Sequence, residues 1–250
     1  MAKRSNSQIV QVITAMRSNG GFATLGQLYS LLDFSKWETQ TPEASVRRIV
    51  QDNQEFFKIR PGLWALTEHR EFVLKKFQLD GFDTDTPNED TQERTKAFTH
   101  TFYQGLIVEI GNMKHLETCV PSADQNKMYL DKRLKEIVTL ERVYDFTYPE
   151  YLKKAKTIDV IWFNERRLPF AFFEVEHTTN IEHSLVKFCE FQDYHAKFYI
   201  VAEEVKRGQF NALLERTTFK PLKGRVVFHN YENLASQHTK MCELAEIETI

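Results

Sequence analysis

Residues 157–177 read TIDVIWFNERRLPFAFFEVEH, two apolar runs joined by a short charged stretch. The first run, Thr157–Phe163, is strand-like and carries one acid, Asp159. The second, Phe170–Glu176, is strand-like too and ends on Glu174 and Glu176. Side chains two apart on a strand share a face, so the two glutamates point at one spot. Asn164–Leu168 is rich in charge and stops before Pro169, which suits a hairpin connection. Such a hairpin lays the runs side by side and brings Asp159 to the glutamate pair. Carboxylates gathered at the mouth of an apolar sheet are costly unless a cation neutralises them. Hard oxygen ligands suit Mg²⁺, with Mn²⁺ as its substitute. An ion so held activates water and stabilises charge on a phosphate, the requirement of phosphodiester hydrolysis.

Working outward, residues 97–250 alternate helical and strand-like stretches. A helix is expected over Phe98–Met113, a strand over Leu116–Val120 and, after the hairpin, a helix over Ile181–Tyr194. A strand at Phe198–Ala202, a helix at Gln209–Arg216 and a strand at Arg225–Phe228 follow. The alternation predicts an α/β domain with a mixed sheet flanked by helices. Ahead of it, residues 78–96 hold Asp83, Asp85, Pro87, Asn88, Glu89 and Asp90 with almost no bulky apolar residue, and read as an acidic linker.

Residues 1–77 form a separate unit. Ile9, Val12, Ile13 and Met16 recur at helical spacing until Asn19-Gly20-Gly21 stops them. Thr24 caps a second helix with Leu25, Leu28, Leu31 and Leu32 on its inner face. Thr41-Pro42-Glu43 opens a third, with a capping residue, proline at the first position and an acid facing the dipole. Phe56–Arg60 and Leu63–Leu66 flank Pro61-Gly62 as a hairpin. Three helices and a hairpin in this order predict a small α+β winged helix-turn-helix domain. Ser45, Arg47, Arg48 and Gln51 lie on the recognition helix, which would enter the major groove of DNA. Lys58 and Arg60 on the wing would meet phosphates, whereas Phe57 and Trp64 are read as core.

Charge agrees with this division. The whole chain carries −2, but in residues 1–77 eleven Lys/Arg stand against seven Asp/Glu. The basic excess thus sits where phosphate contacts are useful. Cys119, Cys189 and Cys242 are scattered and odd in number, fitting reduced thiols in the cytoplasm. No apolar run approaches the roughly 18 residues of a membrane span, and no signal peptide is expected at the N-terminus. His177 is read as a hydrogen-bonding residue at a strand end. The other histidines show no metal-ligand spacing and are read as surface or core residues.

The Asp159–x14–Glu174–x–Glu176 pattern resembles the PD-(D/E)XK nucleases, and Phe173-Glu174-Val175-Glu176-His177-Thr178-Thr179 is similar to a restriction-endonuclease-like subgroup. The resemblance covers roughly residues 97–234. It implies metal ligation by Asp159 and Glu174, and a helical acid at Glu109, with Glu136 and Glu141 as competitors. The position usually held by lysine is Glu176, which would add a ligand or polarise the water. The lysine's role would pass to Lys187, about three turns into the next helix. Gly20–Leu25, Thr41–Ile49 and Phe56–Trp64 resemble the HARE-HTH winged helices found in restriction endonucleases and chromatin proteins. Together the resemblances imply a type II restriction enzyme acting on double-stranded DNA as a homodimer, with a companion DNA methyltransferase. The alternative is a winged-helix regulator whose nuclease-like domain has lost its chemistry; an enzyme acting on RNA or a modified base would use the same metal site.

Overall fold

The computed structural model describes residues 2–81, 88–177 and 181–248. Asp83, Asp85 and Pro87 of the expected linker, and Thr178 and Thr179 after the glutamate pair, lie outside these residues. The chain divides into two compact units, residues 1–95 with 235–250, and residues 96–234.

The first unit contains α1 (Ala2–Ser18), β1 (Phe22–Ala23), α2 (Leu25–Leu31), α3 (Pro42–Asp52), β2 (Phe56–Arg60), β3 (Leu63–Leu66) and α4 (Arg70–Lys76). The strands form an antiparallel sheet in the order β1-β3-β2. Thr24 caps α2 as expected: its side chain accepts from the Gln27 amide at 3.2 Å, and the Gln27 side chain accepts from the Thr24 amide at 2.9 Å. Thr41 stands at the cap of α3, but its side chain makes no capping bond; Pro42 sets the first turn instead. Val12, Met16, Leu28, Val46, Val50 and Leu66 close a core between the helices and the sheet.

The second unit follows α5 (Glu89–Met113) with β4 (Glu117–Cys119), β5 (Met128–Tyr129), β6 (Lys132–Arg133), α6 (Pro149–Ala155), β7 (Val160–Phe163) and β8 (Pro169–Glu176). Then come α7 (Ile181–Cys189), β9 (Lys197–Ala202), α8 (Arg207–Leu214), β10 (Val226–Asn230) and the start of α9 (Tyr231–Glu248), whose residues from 235 belong to the first unit. Five strands make a mixed sheet in the order β10-β9-β8-β7-β4, parallel between β10, β9 and β8 and antiparallel from β8 to β4. Helices flank it. Phe172, Phe198, Ile161 and Phe163 pack with Leu185, Phe188 and Phe191 in one core, while the Trp162 indole donates to the Ile107 carbonyl of α5 at 3.2 Å.

Three expectations shift. The helix expected from Phe98 begins at Glu89, because the Asn88 carboxamide accepts the Thr91 amide at 2.8 Å and Glu89 and Asp90 favour the positive end of the helix. Acids read as linker are therefore its first turn. The helix after β8 ends at Cys189, well short of Tyr194. The residues from 235 onward, expected to close the second domain, group instead with the first unit. There α9 lies against α2 and α3. Glycine at position 26 permits this approach, since a Cβ would stand 2.4 Å from the Cys242 sulfur. The three cysteines are free thiols, and no helix among the described residues is long and apolar enough to cross a membrane.

Candidate active site

The register between β7 and β8 pairs Val160 with Phe173. Antiparallel strands step in opposite directions, so Asp159, one residue ahead of β7, comes opposite Glu174. Sequence reasoning placed Asp159 inside the strand; it stands just outside, where its Oδ2 accepts the Val175 amide at 2.7 Å. Phe172, Glu174 and Glu176 share one face of β8. Phe172 belongs to the core with α7, and the same face carries the glutamates to that helix.

Glu174 is 2% exposed. The Lys187 ammonium donates to both its carboxylate oxygens, at 2.9 and 2.8 Å, and to the Thr157 carbonyl at 3.0 Å. Ser184 of α7 donates to Glu174 at 3.1 Å and also bonds Glu176. Lys187 is the seventh residue of α7, about two turns from its start rather than three. Burial is the main force raising the Glu174 pKa well above the usual carboxylate value, and the Asp159 charge adds to it, against the pull of Lys187. Burial likewise raises Glu176, with the Ser184 bond opposing.

These side chains line a cavity of about 400 Å³ bounded by Lys96, His100, Asp159, Glu174, Glu176 and Lys187, with His177 and His183 at its wall. Four of the five expected catalytic residues thus come together: Asp159, Glu174, Glu176 and Lys187. Glu109 does not. It lies nine residues beyond His100, about two and a half turns along α5, and so faces the other way. The Tyr129 hydroxyl donates to it at 2.8 Å, and Tyr129 packs on α5 at Gly105, where a Cβ would meet the ring at 2.1 Å. Glu136 accepts its own turn's Arg133 amide, and neither it nor Glu141 lines the cavity.

The residue of α5 that faces the acids is His100, which the sequence reading left among surface and core histidines. Its Nδ1 lies 3.1 Å from the Val175 carbonyl, and its Nε2 lies 3.5 Å from Asp159 Oδ1 and 4.0 Å from Asp124 Oδ2. Burial opposes the imidazolium, but Asp159 and Asp124 outweigh it, and the His100 pKa is raised. His100, Asp124 and Asp159 each offer a ligand atom, all within 4.8 Å of one another. Fold proximity alone unites them, since Asp124 sits in a turn after β4 with no motif around it. His177 contacts the Tyr231 hydroxyl at 2.6 Å, close to the strand-end part expected for it.

In the first unit the expected contact residues differ in availability. Arg48 is 84% exposed, 3.5 Å from Asp52 one turn on, and Gln51 and Lys58 are also exposed. Lys58 lies over the Trp64 ring. Arg60 is half-buried, and Ser45 donates to the Thr41 carbonyl at 3.3 Å. Arg47 is ion-paired with Glu243 of α9, which also accepts from the Tyr29 hydroxyl.

Residues 82–250 match the family described as type II restriction enzyme NmeDI C-terminal domain, and the chain belongs to that family. It is a restriction-endonuclease-like protein. Among curated proteins and among solved structures, nothing matches it significantly.

Proposed function

We propose, with that family as the premise, that the chain is a metal-dependent endonuclease of the type II restriction class, hydrolysing phosphodiester bonds in duplex DNA at a specific sequence. The observation that carries this reading is the meeting of Asp159, Glu174, Glu176 and Lys187 in one cavity. It supports a PD-(D/E)XK reading, in which Lys187 of α7 takes the lysine's part. Three clustered acids, two of them with raised pKa, fit a divalent cation such as Mg²⁺ or Mn²⁺. When bound, the ion supplies Lewis acidity and a water of lowered pKa.

The chain's own residues do the rest. Asp159 is the acid common to every donor set here, and the Val175 amide fixes its rotamer. Lys187, held by Glu174, offers an ammonium to a phosphate oxygen as charge builds on it. Glu176, its pKa raised, accepts a proton from the attacking water. The lysine's presence beside Glu174 favours catalysis over the regulator reading, which rested on glutamate at position 176.

The helix order and three-stranded sheet of the first unit support a winged helix, whose Arg48, Gln51, Lys58 and Arg60 would contact DNA, with Ser45 and Arg47 beside them. Cutting both strands calls for two centres, hence a homodimer, in a cytoplasm where a companion methyltransferase protects the host's own sites. The test is incubation with unmethylated plasmid or phage DNA. Discrete fragments with Mg²⁺ and none with EDTA are expected; intact DNA with every cation tried, despite tight duplex binding, would overturn the proposal.

A further inference from the structure

Resting on that reading, we infer that His100 and Asp124 join Asp159 in holding the catalytic cation, a mixed nitrogen–oxygen site that takes first-row transition ions such as Mn²⁺ in preference to Mg²⁺. Both oxygens of Glu174 accept from Lys187, and those of Asp124 accept from Lys127 and Gln104. Oδ2 of Asp159 accepts the Val175 amide, and its Oδ1 is the atom turned to His100.

The orientation of His100 is that of a metal ligand. Its Nδ1, facing the Val175 carbonyl, carries the ring proton, so Nε2 is the atom presented to the two carboxylates. A metal-bound histidine characteristically spends its other ring N–H on such a carbonyl. The distances argue the same way. An imidazolium bonded to a carboxylate closes to about 2.7–2.9 Å, whereas here Nε2 stands 3.5 and 4.0 Å from the two oxygens. Ligands about 2.1 Å from a shared ion lie about 3.0–4.2 Å apart, depending on coordination.

A second observation comes from Gln104, a fully buried residue one turn beyond His100 on α5. Its amide nitrogen donates to Asp124 Oδ2 at 2.8 Å and to the Asp159 carbonyl at 3.1 Å, tying two of the three ligand residues together. Its Oε1 is buried with no hydrogen-bond partner. A buried acceptor in that state calls for a donor. Lys127 pairs with the other oxygen of Asp124 at 2.5 Å and is 47% exposed, neutralising one charge of the cluster from outside. Imidazole nitrogen favours Mn²⁺ and its later neighbours over Mg²⁺, whose sites are built from oxygen.

The experiment is Mn²⁺ titration of the full chain followed by electron paramagnetic resonance, with spin-echo detection of nitrogen coupled to the bound ion. Wild-type protein is expected to show nitrogen modulation and to bind Mn²⁺ tighter than Mg²⁺. His100→Ala should lose the modulation and about 100-fold or more in Mn²⁺ affinity, and Asp124→Asn should weaken binding while keeping the modulation. Bound Mn²⁺ without nitrogen coupling in the wild type, or unchanged affinity in His100→Ala, would overturn the inference. The wild-type spectrum serves even if a variant misfolds. If the modulation is absent but Mn²⁺ still supports DNA cleavage, only the ligand assignment fails. If nitrogen-coupled Mn²⁺ is bound and no DNA is cut, the nuclease reading fails instead; if no Mn²⁺ binds, both fail.

Discussion

Two ion pairs, one in each unit, handle charge in opposite ways. In residues 96–234, Glu174 is 2% exposed and the Lys187 side chain 15% exposed. Around α3, Arg48 is 84% exposed and its nearest acid, Asp52, 68%. A buried pair lies in a low-dielectric surround, where each group shifts its neighbour's proton affinity and removal of one partner strands the other. An exposed pair is screened by water and salt and contributes little to stability. The same residue types therefore behave differently: the buried pair is tightly coupled and the exposed pair is not.

The contrast breaks most sharply at Lys187. Lys187→Met strands Glu174 and removes the ammonium from the cavity. Cleavage is expected to fall about 100-fold and stability by about 3 kcal/mol, read by single-turnover kinetics and denaturant melts. Loss of stability with an unchanged rate would make Lys187 purely structural. On the exposed side, Arg48→Ala and Lys58→Ala should leave melting unchanged. Each should lower the salt dependence of DNA affinity by about one unit of slope, measured by fluorescence anisotropy across a salt series. A melting loss in either variant would contradict the division.

Arg47 lies between the two regimes because Glu243 holds it. Glu243→Gln is expected to tighten DNA binding by roughly threefold at low salt. Unchanged affinity would make Arg47 a tie between α3 and α9. The smallest effect concerns pH. Glu174 and Glu176 hold their protons more tightly folded than unfolded, so their contribution to stability is complete below about pH 4.5 and is lost as pH rises through the raised folded values. His100, also raised, acts in the same direction above 6.5. The metal-free protein should melt at lower temperature as pH climbs from about 4.5 toward neutrality, and Glu174→Gln should flatten that slope.

Much of the second unit was legible because its strands announce themselves as short apolar runs bounded by charged turns. Asp159, Glu174 and Glu176 stand out as acids in otherwise apolar runs, and their meeting follows from one hairpin register. Lys187 is legible only through the resemblance, since a lysine late in an amphipathic helix carries no signal of its own. His100 and Asp124 were not legible: the two, together with Asp159, come from a helix, a turn and a strand edge, and only the packing of α5 on the sheet unites them. Glu109 came from the resemblance alone, and the turn of α5 that reaches the acids is the one that holds His100. The return of α9 to α2 and α3 was equally silent, resting on a glycine at position 26 that makes room for a sulfur.

The most direct test of the central division measures binding and cutting on one duplex with wild-type protein and Asp159→Asn. The variant is expected to bind the duplex with wild-type affinity, to melt as a folded protein and to cut nothing in Mg²⁺ or Mn²⁺. Cutting at the wild-type rate would contradict that expectation.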